Sequence, residues 1–483
     1  MADRNREKII FHIDVNSAFL SWSAVKRLRE DPQSVDLRTI PSVVGGDPTT
    51  RHGIVTAKSV PAKKYGIRTA DTIASAMSRC PGLVVIPSDF TTYREYSRQF
   101  MDILRSYTSS VEQASIDEAY MDATDLVDTM MEGTAAARSD TGSGRARSRR
   151  EAAQALAAQI RERIRETLGF TVNVGISGNR LLAKMASDFE KPDRTHTLFP
   201  EEVPAKLWPL PIGDLYGCGG RTAARLRTLG IRTIGDAAHT PVEVLTDHLG
   251  DKSGKYIHNA SRGLGRSTVS PVREDAKSYS NEYTTSSDIT QETYEAEFMP
   301  LLQHLCDKVA GRLQRDGVYG KTVVVTVKTD DFRRRSAQRQ LADASNRAEV
   351  LFQAASALAD KLLLGEKGLF AEGAGIRLVG AGVTDLDDGA YRQMSLLDWE
   401  PEEEGPAAAA QKPGQEEAEK SAPGEPAGAA SQKPEPGRKR GIDPSDRKAR
   451  LLEMEALINR RFGEGTVRRG RAEEPDKRSS ENK

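Results

Sequence analysis

The chain has 483 residues, which at roughly 150 residues per domain makes about three domains and argues against one compact fold. Lys+Arg and Asp+Glu each number 70, so the net charge is zero. That excludes nucleic-acid binding through bulk charge alone but leaves room for local basic faces.

Three cysteines, Cys80, Cys218 and Cys306, are odd in number and far apart, which speaks against a disulfide framework or a zinc site. The opening MADRNREKII has no apolar core of signal-peptide length. No run of about 18 apolar residues is present that could span a membrane. The expectation is a reduced, cytoplasmic, multi-domain protein.

Residues 8–15 (KIIFHIDV) are rich in β-branched and aromatic types and predict a first strand. A helix starts directly after it, over 17–28, which puts the Asp14 carboxylate at a sheet edge. Residues 41–80 mix Gly, Pro and Lys with short apolar runs, as in a small lobe, and 82–87 (GLVVIP) predict a second strand. Residues 93–107 predict a helix with Tyr96, Phe100, Ile103, Leu104 and Tyr107 near one face. Residues 111–124 (VEQASIDEAYMDAT) read as a β-hairpin.

Residues 131–150 are Gly-, Ser- and Ala-rich with five arginines and read as a flexible surface insertion. A helix follows over 151–168, with Leu156, Ile160, Ile164 and Leu168 spaced by four and Gly169 as its cap. Residues 170–177 predict a strand, and RLLAKMASDFE another helix. The β-α-β-β-α-β order over 8–190 suggests a ferredoxin-like sheet with insertions. Residues 200–262 read as short helices and 277–386 as a second α/β unit.

Residues 401–440 contain no Ile, Leu, Val, Met, Phe, Tyr or Trp, so they cannot build a core and are expected to be disordered. A last helix is predicted over 444–462, with Asp443 as N-cap, Pro444 at its first position and Gly463 ending it.

Three carboxylates stand out. Asp14 ends a strand, and Asp117 and Glu118 are adjacent about a hundred residues later. Adjacent strand residues face opposite sides, so both reach one site only if the chain turns there. Three converging carboxylates need a counter-ion, and Mg²⁺ suits hard oxygen ligands and substrate phosphates. From spacing alone the pair could equally be a solvated hairpin tip.

IIFHIDVNSAFLSW, SIDEAYMD and VNVGISGNRLLAKMASDFEKP occur in that order and together resemble the palm of the Y-family, translesion DNA polymerases. VVGGDPTTRHGIVTAKSVPAKKYGIRTA resembles the small fingers of that family, and LYGCGGRTAARLRTLGIRTIGD its thumb. KSYSNEYTTSSDI through IRLVGAGVTDL is similar to its little finger. The resemblance implies an α+β right-hand polymerase: palm at 1–17 and 84–187, fingers at 18–83, a helix-hairpin-helix thumb at 188–262 and a little finger at 277–386. It also implies a low-fidelity, template-directed polymerase that adds dNTPs to a primer on primer-template DNA, acting as a monomer.

By the same resemblance, Asp14, Asp117, Glu118 and the Val15 carbonyl would hold two Mg²⁺ ions. Phe19 falls at the steric gate against a ribose 2′-hydroxyl. Arg180 matches a basic residue on the triphosphate. The family's fingers carry Tyr-x-x-Arg where this chain has Val60 and Lys63. Val60 cannot hydrogen-bond, and Lys63 keeps the charge without the bidentate fork. Asn16 stands where many members have Asp. Lys184 and Lys191 are left between DNA contact and plain solvation.

Gly217 and Gly219, in a helix-hairpin-helix-like GCGG, would let backbone N–H groups approach a phosphate. Residues 321–340 carry six Lys/Arg against two Asp, with Arg333, Arg334 and Arg335 as DNA-binding candidates. QMSLLDW resembles the peptide that docks bacterial polymerases on the sliding clamp, with Gln393, Leu396 and Leu397 as contacts at 393–398. A disordered linker at 400–440 and a C-terminal helix at 443–463 would follow. The fingers changes keep open a second class: a non-catalytic, clamp-tethered DNA-binding module on a polymerase scaffold.

Overall fold

The computed structural model describes residues 6–47, 53–141, 148–272 and 274–389. Its first strand, β1 (Ile10–Val15), is buried along its whole length. It breaks into α1 (Ala18–Glu30) through Ser17, whose φ of 48° is left-handed. This tight strand-to-helix turn leaves Asp14 at the strand end and Phe19 in the first helical turn.

A small lobe comes next: β2 (Ser42–Gly45), β3 (Val55–Lys58), α2 (Val60–Lys63), α3 (Ile73–Arg79) and β4 (Val84–Ile86). β2 pairs antiparallel with β3 and parallel with β4, so the strand expected at 82–87 completes this sheet. Val43, Val55, Ala62, Ile67 and Ile73 fill its core.

The chain then returns to β1 through α4 (Phe90–Arg105), β5 (Val111–Gln113), β6 (Glu118–Asp122), α5 (Thr124–Thr141), α6 (Arg149–Leu168) and β7 (Val172–Ser177). α7 (Arg180–Ser187) and β8 (Thr195–Thr197) follow. The strand order is β5-β6-β1-β7-β8. Its first four strands, with α4 and α6 as crossovers, have the ferredoxin-like arrangement. β5 and β6 form the expected hairpin, Val111 opposite Met121.

One expectation is corrected. Residues 131–150 are not irregular throughout, because α5 runs on to Thr141. Met, Glu and Ala favour helix there and no proline interrupts. α6 starts at a capping box formed by Ser148 and Glu151 and ends on Gly169 at φ 80°.

Beyond β8, α8 (Gly220–Thr228), α9 (Ile234–His239), α10 (Val242–Leu249) and α11 (Asp251–Ser261) pack around Ile212, Leu226, Ile234, Leu245 and Ile257. Leu181, Leu182 and Met185 of α7 join the same core.

The last described unit is β9 (Ser278–Ile289), α12 (Met299–Arg315), β10 (Tyr319–Thr329), β11 (Arg334–Ser345), α13 (Ala348–Leu363) and β12 (Ile376–Asp387). Its strand order is β11-β10-β12-β9. Both helices cover one face through Leu302, Leu305, Val309, Leu351 and Leu358 against Val323, Val325, Val327 and Val379. By the two-residue strand period, Thr326 and Lys328 turn to the other face, opposite Gly380 and Leu378.

Cys80, Cys218 and Cys306 are free and sit in three separate cores. Among the described residues no helix is long and apolar enough to cross a membrane. The expected clamp-binding peptide (Gln393, Leu396, Leu397), the linker at 400–440 and the helix at 443–463 lie outside the described residues.

α7 rides directly on β7 because of Gly175. A Cβ there would run into the Ala183 carbonyl oxygen and the Ser187 amide. Gly175→Ala is therefore expected to cost about 1–3 kcal/mol of stability by overpacking. Chemical denaturation measures it, and an unchanged midpoint would contradict this account of how α7 is seated.

Candidate active site

Asp14 on β1 and Glu118 on β6 stand directly opposite each other in the antiparallel ladder. Asp117 precedes β6 rather than belonging to it. The backbone turns over 114–117, where the N–H groups of Ala114 and Ser115 both donate to the Glu118 carbonyl. The Val15 N–H donates to the Asp117 carbonyl at 3.0 Å, tying the turn to β1. Ser115 Oγ donates to Asp117 Oδ1 at 2.6 Å. The required turn is thus present, and Asp117 and Glu118 share a pocket of about 280 Å³ with Asp14, Val15, Phe19 and Lys63.

Like charges directly opposite on adjacent strands repel. Lys184 relieves this: its Nζ lies 3.3 Å from Asp14, 2.8 Å from Glu118 and 3.3 Å from Asp188. Lys191 Nζ adds 2.8 Å contacts to Asp14 and Asp188. These two lysines, undecided in the sequence, are the counter-ions of the carboxylates. A lysine four residues into a helix packed on the strand beside Asp14 was the available signal.

Burial raises the Asp14 carboxyl above the ordinary carboxylate range despite both lysines. Glu118 is held below it by the His12 imidazole, 3.8 Å behind it, and by Lys184, against the opposing effect of burial. Burial works against the charge on Lys184, yet Asp14 and Glu118 outweigh it and raise its proton affinity. His12 itself is pushed down, mainly by burial, and its Nδ1 pairs with Ser187 Oγ at 2.8 Å.

Asn16 is buried. Its Nδ2 donates to Asn173 Oδ1 at 3.1 Å, and its Oδ1 accepts from Thr171 Oγ1 at 3.0 Å and the Asp193 N–H at 2.9 Å. An aspartate could accept here but not donate, so the amide suits this chain's wiring.

Among the described residues no group of three or more His, Cys, Asp or Glu side chains is placed to hold a metal ion. Asp14 and Glu118 are instead engaged by Lys184, and Asp14 also by Lys191. The donor set is nonetheless all hard oxygen and opens on one pocket, which fits Mg²⁺.

The wall facing the carboxylates comes from the small lobe: Thr56, Ala57 and Lys58 of β3, Lys63 of α2 and Thr69. Lys58 was not picked out from the sequence. Phe19 forms a third side, its ring stacked on Tyr93 at 4.5 Å and 10° and edge-on to Phe90 at 6.0 Å. Val60 is not among the residues that line the pocket and is 45% exposed.

Arg180 does not line the pocket. Its guanidinium donates to Glu112 at 2.6 Å and lies 4.2 Å from the Tyr120 ring centroid. Gly217 takes φ 82° beneath the Tyr256 ring, and Gly219 caps α8 with open space around it. At the β10–β11 turn Arg333 pairs with Asp331, Arg334 at the start of β11 pairs with Glu282 of β9, and Arg335 donates to the Arg334 carbonyl.

Comparisons with known proteins agree with this architecture. The model of the impB/mucB/samB family matches residues 13–188, that of its C-terminal domain 276–396, and that of the DNA polymerase-iota thumb domain 213–265. DNA polymerase IV of Clostridium acetobutylicum is 39% identical over 394 residues, covering 81% of this chain and 90% of its own. DNA polymerase IV of Moorella thermoacetica is 35% identical over 363 residues, covering 75% and 83%. A solved Y-family DNA polymerase chimera of Dbh and Dpo4 superposes with TM-score 0.64 at 22% identity, covering 78% of this chain and 98% of that one.

Lys184→Met would remove the cation that reaches both Asp14 and Glu118, leaving Lys191 on Asp14 alone. The expected loss is on the order of 3 kcal/mol of stability in chelator. Thermal melting with and without Mg²⁺ tests it. The variant should recover more on adding the ion than the wild type does, and equal recovery would contradict the counter-ion role.

Proposed function

The chain belongs to the impB/mucB/samB family of Y-family DNA polymerases, and from that premise we propose how its residues carry out the reaction. The protein is a low-fidelity, template-directed DNA polymerase of translesion synthesis or DNA repair, and a metal-dependent nucleotidyltransferase. One observation carries the reading at the level of residues. Asp14, Asp117 and Glu118 line a single pocket with Phe19 and Lys63.

In this reading the β1 sheet is the palm, the β2–β4 lobe the fingers, α8–α11 the thumb and the β9–β12 unit the little finger. The primer 3′-hydroxyl attacks the α-phosphate of the dNTP and pyrophosphate leaves. Asp14, Asp117, Glu118 and the Val15 carbonyl would hold two Mg²⁺ ions, which when bound supply positive charge to the attacking and leaving oxygens. Until then Lys184 neutralises Asp14 and Glu118, and Lys191 adds a second contact to Asp14.

Phe19 supplies a flat wall for the sugar. Its stacking on Tyr93, which is itself fixed by a 3.0 Å hydrogen bond between its hydroxyl and Ser23, keeps the ring from yielding to a 2′-hydroxyl. Lys63 takes phosphate charge. Arg180 joins it only by exchanging Glu112 for the nucleotide.

Backbone N–H groups around Gly217 and Gly219 bind template or primer phosphates without reading sequence. Arg333, Arg334 and Arg335 add salt-sensitive contacts from the little finger. Gln393, Leu396 and Leu397 tether a monomeric enzyme to the sliding clamp, which raises its effective concentration at the primer end.

Primer extension tests the reading. Wild type with Mg²⁺ and dNTPs should extend a primed template, and Asp117→Ala/Glu118→Ala should abolish extension while still binding DNA. Extension that persists in the folded double variant would overturn the site. A separate outcome concerns the sugar wall. Phe19→Ala should bring NTP incorporation close to dNTP incorporation, and undiminished rejection of NTPs would remove Phe19 from that role.

A further inference from the structure

Of the five basic side chains Lys58, Lys63, Arg180, Lys184 and Lys191, the first two line the pocket, and their partners divide the five. Lys184 and Lys191 are held by Asp14, Glu118 and Asp188. Arg180 is held by Glu112. Lys58 and Lys63 line the pocket itself, and neither has a carboxylate at ion-pair distance among the described residues. Asp71, which acts on Lys58 from further off, is engaged by Arg79.

Lys58 is the last residue of β3, two positions after Thr56, so the strand period turns both toward the pocket. Its Nζ donates to Thr69 Oγ1 at 3.0 Å, which anchors the ammonium and leaves its other N–H groups unclaimed. Two neighbouring ammonium groups without a counter-ion, opposite a cluster of carboxylates, form a charge arrangement that a polyanion with bound cations completes.

We propose that Lys58 is a second phosphate-binding residue of the pocket, holding the triphosphate tail of the incoming nucleotide jointly with Lys63. The inference rests on the polymerase reading and deepens it. Val60, exposed and without a polar atom, offers no hydroxyl to the phosphates. Lys58 supplies donors from the adjoining strand end instead. Burial first, and then the charge of Lys63, lower the proton affinity of Lys58, as expected of a cation awaiting an anion. The triphosphate thereby meets two point charges from successive elements, β3 and α2, in place of one planar fork.

The test uses the full chain on a primer-template ended with a dideoxynucleotide, so that binding is read without turnover. Lys58→Met should raise the Kd of the complementary dNTP about tenfold or more, the scale of a lost charge-assisted hydrogen bond. The Kd for DNA and the melting temperature should stay at wild-type values. Lys58→Arg should restore most of the dNTP affinity. Inhibition of primer extension by inorganic pyrophosphate should weaken in Lys58→Met alongside the dNTP affinity.

Unchanged dNTP affinity in folded Lys58→Met would overturn the proposal. So would weakened dNTP binding with undiminished pyrophosphate inhibition, which would move Lys58 to the base or sugar. Failure of the wild type to bind or incorporate any dNTP would instead remove the polymerase reading, and this inference with it.

Discussion

Two carboxylates facing each other across adjacent strands is the constraint on which the rest of the site depends. Asp14 and Glu118 are cross-strand partners at the adjoining ends of β1 and β6. Such a pair is unfavourable unless a cation lies between them. The chain provides one by seating α7 close on β7, where a Cβ at Gly175 would clash with the helix, so that Lys184 reaches both carboxylates. The helix that neutralises the site also packs into the α8–α11 core through Leu181, Leu182 and Met185. Charge balance at the carboxylates and the seating of the next domain therefore share one element.

The pocket has a polarity that follows from this arrangement. One wall is acidic and belongs to the large sheet; the facing wall is basic and belongs to the small β2–β4 lobe. The acidic wall carries its own counter-ions, whereas among the described residues no carboxylate lies at ion-pair distance from Lys58 or Lys63. Under the proposed polymerase reading a ligand with a multiply charged tail would be held chiefly by the small lobe, while cations brought with it would compete with Lys184 for Asp14 and Glu118. In the proposed reading the lysines are placeholders, and the site becomes competent when they are displaced.

Local features were legible in the sequence, because they depend on neighbours along the chain. The strand ending at Asp14, the turn into α1, the 111–124 hairpin and the Gly169 cap all come from patterns a few residues long. The candidate metal ligands and Phe19 came from motif order, and the structure gathers them in one pocket. Residues whose role depends on packing were not legible. Lys184 lies 170 residues from Asp14, and although its place in a helix following the strand beside Asp14 was a signal, its burial between two carboxylates depends on the packing of that helix. Lys58 looked like one more lysine in a basic stretch. Arg180 was read onto phosphate, but Glu112 on β5, which the sequence did not connect to it, takes its guanidinium. The helix through 131–141 was hidden by a composition that resembles a loop.

The central claim is that nucleotide and cations enter between these two walls and displace the lysine counter-ions. A crystal structure of the full chain with primer-template DNA, a non-hydrolysable dNTP and Mg²⁺ tests it most directly. The account predicts metal between Asp14, Asp117 and Glu118, Lys184 withdrawn from at least one of those carboxylates, and phosphate oxygens within hydrogen-bond distance of the small-lobe lysines. Nucleotide bound elsewhere, with Lys184 still closing Asp14 against Glu118, would contradict it.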